Sequence, residues 1–346
     1  MAHPDIQHAR TLPSELYTEP AAFARLSRAL DHQWHWLGPD DLPEGSVRPY
    51  ELGQTPLLLS REGGQLRLLS NVCTHRGMIL VQEEGPARGL RCGYHGRRFG
   101  LDGCLKAGPT MAGPDPTDDL PAAGLAALGP MLFGSVLPRR SFAEVLGPVQ
   151  DRLRGLPWDQ GRWDPDWARD FELSASFLAW CDNYLEGLHI PFVHPGLSRA
   201  LDPQDYRVVT TPWASIQIGT AAPGQPALRL PPDHPDAGRP VAGIYIFLFP
   251  CTALNIYPWG VSVNSVVPLG PERCRIRYRA FVWEERLRDR GAGADLYAVE
   301  AEDQAVVSQV QRGLRSRLYR SGRYAPAEEQ AVFHFHQKVA EMLAEE

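Results

Sequence analysis

The chain has 346 residues, 43% hydrophobic and 22% charged, the balance of a folded globular protein with room for more than one domain. A formal net charge of −6 supplies no basic footprint, which argues against a nucleic-acid ligand. The opening MAHPDIQHARTLPSELY has no basic stretch followed by an apolar run, and no later stretch could span a bilayer, so the expectation is a cytoplasmic protein with no membrane contact.

In chain order, residues 34–98 read as short strands. VRPYEL, TPLLLS and QLRLLSNV are apolar or alternating runs broken by Gly and Pro, the pattern of a small β domain. Residues 106–124, rich in Pro, Gly and Asp, read as a long loop, and GPMLFGSVLP as a return strand. A helical pattern covers 174–189. Strands are expected at 206–219, 241–250, 260–268 and 273–283, and helices at 294–318 and 327–344. Strands first and helices after give an α+β order without internal repeats.

The six cysteines are scattered at 73, 92, 104, 181, 251 and 274, which gives no dense disulfide framework. Two of them stand beside histidines. Cys73-Thr-His75-Arg-Gly77 and Cys92-Gly-Tyr-His95-Gly96 each supply one thiolate and one imidazole, with sixteen residues between His75 and Cys92. Two thiolates on one iron and two imidazoles on the other is the Rieske [2Fe-2S] arrangement. A Cys2His2 zinc site uses the same donors, but its usual order is a Cys pair followed by a His pair, whereas each loop here alternates them. Met78 and Gly93 stand near the ligands where respiratory Rieske proteins carry an additional cysteine pair.

Residues 178–197, LAWCDNYLEGLHIPFVHPGL, raise a second possibility. A continuous helix would put Asp182, Glu186 and His189 on one face, with Pro191 ending it and His194 five residues beyond His189. Two imidazoles need one carboxylate to form the facial triad of non-haem Fe(II). In the helix at 294–318, Leu296, Val299, Val306, Val310 and Leu314 form an apolar stripe with Asp303 in its middle, and Glu302 points a quarter turn away. A buried carboxylate needs a partner: a metal, or an arginine such as Arg312 or Arg315. His334 and His336 read as packing or surface residues. Trp213, Tyr245, Phe247, Phe249, Tyr257 and Trp259 lie on strands; some could wall a pocket and hold a quaternary ammonium, while most pack the core.

NVCTHRG, CGYHGRRFGLDG, CDNYLEGLHIPFVH, NSVVPLGPERC and EDQAVVSQVQRGLRSRLYRSGRY together resemble the α subunits of Rieske non-haem iron oxygenases, closest to the choline-monooxygenase-like branch. The resemblance implies a small all-β Rieske domain, 31–140, and a catalytic domain, 1–30 with 141–346, built as an antiparallel sheet flanked by helices in helix-grip fashion. It implies a cluster on Cys73, His75, Cys92 and His95, and a mononuclear iron on His189, His194 and Asp303. It also implies head-to-tail homotrimers in which His95 of one subunit meets Glu186 of the next. Naphthalene-type dioxygenases carry Asn where this chain has Asp182 beside Asn183, which speaks against arene cis-dihydroxylation, and the likeness to the choline-monooxygenase branch favours monooxygenation, as hydroxylation or oxidative N-dealkylation. Glu186, Asp182 and Asn183 are therefore the catalytic candidates.

No G-x-G-x-x-G fingerprint follows a strand, so electrons for O2 and a small organic substrate should come from a separate reductase or ferredoxin. The reading from a different class is a Rieske electron-transfer or sensor protein with a non-catalytic ligand domain. Iron count separates the two: three per chain for the oxygenase, two for the carrier.

Overall fold

The structure, a computed structural model, describes residues 3–108 and 115–346, so the middle of the expected loop at 106–124 lies outside the described residues. Packing divides the chain into two compact units: Asp31–Arg139, and Met1–Leu30 together with Arg140–Glu346.

The smaller unit is built of short antiparallel strands. Gln65–Ser70, Thr55–Glu62, Ser46–Leu52 and Gly85–Pro86 form one sheet, in that order, and Leu90–Arg91, Arg98–Phe99 and Leu105–Ala107 form a second. His35–Pro39, Met131–Ser135 and Gly124–Leu128 make a third, so GPMLFGSVLP is indeed a strand. The unbroken run Leu57-Leu58-Leu59 is buried on both faces. Leu58 packs with Phe99, Cys73 and Cys92, while Leu57 and Leu59 pack with Leu37 and Leu132.

The larger unit centres on a seven-stranded antiparallel sheet in the order Arg162–Leu173, Arg273–Val282, Gly260–Gly270, Thr252–Tyr257, Val241–Leu248, Ala214–Ala221 and Leu201–Thr211. The last six are a meander, and the first strand pairs with the final one. The chain therefore leaves one edge of the sheet at Leu173 and returns at the opposite edge at Leu201, so the segment carrying His189 and His194 must traverse it. The helix Gln330–Ala344 packs Phe335 against Phe247 and Phe249.

Three expectations need correction. The strand expected at 206–219 is two strands with a turn between Thr211 and Ala214. The strands Thr252–Tyr257 and Arg162–Leu173 were not expected. The first is a six-residue run closed in by Pro250 and Pro258; the second is an edge strand whose Pro165 falls in the irregular stretch between Asp164 and Arg169, where no ladder N–H is required. The helix expected at 174–189 covers only Phe177–Tyr184. It starts where the Ser176 hydroxyl accepts the Leu178 N–H, and it stops because the Glu186 carboxylate accepts the N–H groups of Leu188 and His189, drawing the chain into a separate turn. Pro191 opens the next short helix, Ile190–Val193, rather than ending the first.

Candidate active site

The three residues expected to share a metal do converge: one ligand atom from each of His189, His194 and Asp303 lies within 4.8 Å of the other two. His194 Nε2 is 3.0 Å and His189 Nε2 3.5 Å from the same Asp303 oxygen, Oδ1. At its far nitrogen each imidazole meets a carboxylate. His189 Nδ1 pairs with Glu186 Oε1 at 2.5 Å and His194 Nδ1 with Glu302 Oε2 at 2.7 Å. Both rings are thus turned with Nε2 inward, the arrangement in which outer carboxylates fix the tautomer and raise ligand basicity. Burial alone would lower the His194 pKa, but its bonds to Asp303 and Glu302 outweigh that and raise it. Asn183 Nδ2 donates to Asp303 Oδ1 at 2.7 Å and orients the carboxylate. Two nitrogens and one carboxylate oxygen around one point fit a non-haem iron.

Glu302 was expected to point away and instead holds His194. The long helix Leu296–Leu314 is rotated from its expected setting: Val310 is 47% exposed, and the buried face carries Glu300, Val307, Gln311 and Leu314. The expected stripe counted apolar residues alone. Buried Gln311 accepts the Ser176 N–H and donates to the Tyr17 carbonyl and Glu272, so the helix is docked by polar contacts that an apolar count omits. Asp303 has neither arginine as partner: Arg315 pairs with Glu272, and Arg312 bonds Gln309.

Asp182 is also misplaced by the continuous-helix expectation. Its carboxylate accepts from Tyr17 Oη at 2.7 Å and pairs with His336 Nε2 at 2.8 Å, and Tyr324 Oη meets His336 Nδ1. It does not share a face with Glu186 and His189. His336 is buried in this network, while His334 meets Ser215 Oγ at 3.2 Å.

A cavity of about 100 Å³ opens onto the triad. Of the aromatic residues expected to wall it, Tyr245 and Tyr257 do so; Phe247 and Phe249 pack under the C-terminal helix, and Trp213 lies beneath Arg140 and Lys338. Trp180, Tyr184, Tyr206 and Tyr278 complete the wall and were missed, although Trp180 and Tyr184 stack at 5.6 Å one helical turn apart. Burial pushes the Tyr184, Tyr206 and Tyr257 phenols well above their ordinary values, so they stay neutral. Among the described residues no Lys or Arg lines the cavity. Its acidic groups are Glu186, Asp303 and the buried Glu300.

In the smaller unit, two loops repeat one backbone pattern. Cys73 N bonds Met78 O and Gly77 N bonds Cys73 O; Cys92 N bonds Arg97 O and Gly96 N bonds Cys92 O. Gly77 and Gly96 take φ of 75° and 74°, so glycine serves the turn itself. The loops carry their histidines at different steps, two and three residues after the cysteine, yet His75 Nδ1 and His95 Nδ1 lie 3.1 Å apart. The thiols are buried beneath, and the imidazoles are at the surface with Tyr94 stacked on His95 at 3.7 Å. Burial raises the Cys73 pKa. Burial acts in the same direction on Cys92 but is outweighed by the N–H groups of Tyr94 and His95, which lower it. Buried Arg97 pairs with Asp118 at 2.9 Å and donates to Thr74 Oγ1 at 3.0 Å, locking one loop to the other. Paired inner thiols and outer imidazole nitrogens fit a Rieske cluster.

Comparison with known proteins identifies the two domains that carry these residues. Residues 33–123 match the Rieske [2Fe-2S] domain and residues 178–345 the ring hydroxylating alpha subunit catalytic domain. The chain is 30% identical to the chloroplastic choline monooxygenase of Arabidopsis thaliana, over 96% of this chain and 82% of that protein. It is 26% identical to the carnitine monooxygenase oxygenase subunit of Escherichia coli K12, over 97% and 95% of the two chains. A quaternary ammonium Rieske monooxygenase in complex with L-carnitine superposes with a TM-score of 0.78 at 21% identity, covering 98% of this chain and 97% of that one. Naphthalene 1,2-dioxygenase from Rhodococcus sp. shares the fold, with a TM-score of 0.77 at 19% identity over 97% and 95%. Such enzymes carry a [2Fe-2S] cluster and a mononuclear iron, and receive their electrons from a separate protein. The chain belongs to the α subunits of the Rieske non-haem iron oxygenases, in their choline-monooxygenase-like branch, and is a terminal oxygenase that hydroxylates or oxidatively dealkylates a small organic substrate.

Proposed function

We propose that the substrate is a small alkylammonium without a carboxylate, and that oxygenation takes place at His189, His194 and Asp303. The observation that carries this reading is the wall of the cavity: tyrosines and a tryptophan, three acidic groups, and no cationic side chain among the described residues. Neutral aromatic faces attract a quaternary ammonium. A carboxylate would find no Arg or Lys there.

When bound, the cluster supplies electrons singly and the iron activates dioxygen. The side chains do the positioning. Glu186 and Glu302 hold the two imidazoles by Nδ1, Asn183 holds the Asp303 carboxylate, and the aromatic wall excludes water and orients the cation.

The assembly proposed is a homotrimer in which His95 of one subunit faces Glu186 of its neighbour. Its support is that both metal sites sit beside exposed apolar side chains: Tyr94 is 59% exposed next to His95, and Phe192 87% exposed next to His189. Electrons would pass from His95 through Glu186 to His189. Native mass spectrometry should find three chains per particle.

Reductase-dependent O2 uptake and product analysis with choline, L-carnitine and naphthalene test the substrate class. Choline should be turned over, L-carnitine more weakly, naphthalene not at all. Turnover of the arene without any response to the amines would overturn the reading.

A further inference from the structure

Glu300 has no part in the steps above, yet it is the most deeply buried carboxyl on the cavity wall. It is 2% exposed and lies one helical turn before Asp303 on the helix Leu296–Leu314. Gln304 Nε2 donates to its Oε1 at 2.9 Å and the Trp180 side chain also hydrogen-bonds it, but no Lys or Arg pairs with it among the described residues. A carboxyl in such a place is costly unless it is neutral or meets a positive charge. Trp180 and Tyr184, stacked beside it, and Tyr278 form the aromatic surroundings in which an alkylammonium would sit.

Resting on the alkylammonium reading above, we infer that Glu300 is the anionic recognition group of the cavity: it gives up its proton to solvent as the cation enters, and so selects a cation over a neutral molecule of the same shape. The acid–base balance of the empty cavity is suited to this. Burial is the largest effect and Asp303 on the same helix adds to it, while Gln304, Trp180 and His194 oppose the rise; together they leave the Glu300 carboxyl raised to about 8. From the sheet, the buried Cys274 thiol is pushed up to about 12 and stays neutral, as do Tyr184, Tyr206 and Tyr257. Below about pH 8 an entering cation must therefore displace a proton. Its affinity should rise by at most about tenfold per pH unit until Glu300 is ionised in the empty cavity, then level off. A neutral isostere gains nothing from that ionisation.

The test compares choline with its uncharged carbon isostere, 3,3-dimethylbutan-1-ol, by binding to the intact oxygenase and to Glu300→Gln between about pH 6 and 9. The wild type should prefer choline by at least tenfold near pH 8, with the pH rise confined to choline. Glu300→Gln should lose that preference and the pH slope while binding the isostere as well as before, with its cluster spectrum and iron content intact. A variant that keeps the preference overturns the role of Glu300 and leaves the alkylammonium reading standing. If the variant does not fold, the wild-type profile decides: choline affinity flat across the range overturns the inference. A wild type indifferent between choline and the isostere at every pH removes the alkylammonium reading and this inference together.

Discussion

Glu186 grips His189 twice: one carboxylate oxygen pairs with the imidazole Nδ1, and the other accepts the His189 backbone N–H at 3.2 Å. The residue that ends the preceding helix is therefore the one that aims the ring. Glu186→Gln would keep the shape of the turn but remove the negative charge behind the imidazole. Such changes behind a ligand cost about 10- to 100-fold in metal affinity or activity. Product formed per reduced cluster in a single turnover should fall by that amount, while reduction of the cluster by the reductase keeps its rate.

His189→Ala removes a proposed ligand outright. The visible spectrum of the cluster and its acid-labile sulfide should be unchanged, iron should fall from three to two per chain, and turnover should vanish. Retention of three irons would refute the assignment of His189.

Asp182 should behave as a structural residue. Asp182→Ala removes the carboxylate that the buried Tyr17 hydroxyl and His336 share, leaving those two only their 3.3 Å contact with each other and the Tyr324 hydroxyl on the far side of His336, at a cost of about 1–3 kcal/mol. Thermal unfolding of the larger unit should move down by several degrees while the folded variant keeps its third iron. Loss of iron at unchanged stability would instead make Asp182 part of the metal centre.

His334 gives the fold an acid sensitivity. Burial, reinforced by the nearby Lys338 charge, depresses its pKa to about 4. The unfolded chain, titrating near the ordinary value of about 6.5, binds this proton first. Stability from this residue is thus complete above about pH 6.5 and is lost as pH falls toward about 4. His334→Gln should flatten the fall in melting temperature over that window; an unchanged slope would show that other groups govern it.

The proposed cluster ligands stood out in the sequence because both loops write their chemistry locally, cysteine and histidine within three residues and a glycine where the turn needs positive φ. The three residues proposed to hold iron were legible as residues, and the structure brings them together, but their surroundings were not. A helical period carried through Leu185 and Gly187 put Asp182 beside His189, since nothing in the spacing shows that Glu186 prefers backbone N–H groups to another turn of helix. Glu302, Glu300 and Gln311 were hidden for a related reason. Amphipathic reading assigns polar residues to solvent, whereas Gln311 and Glu302 are held by partners more than a hundred residues away and Glu300 lies on the wall of the cavity. Thr252–Tyr257 was too short to outweigh the prolines on either side.

The traverse from Leu173 to Leu201 also sets an order of assembly. His75 and His95 are 20 residues apart in sequence, so the cluster loops can meet as soon as one small hairpin region has closed. His194 and Asp303 are 109 apart, with the whole meander between them, and their meeting carries the loop-closure cost of that length. On the proposed ligand assignment, iron needs a chain that has brought Asp303 to the two histidines, so occupancy of that site would report a finished sheet, whereas occupancy of the cluster would not.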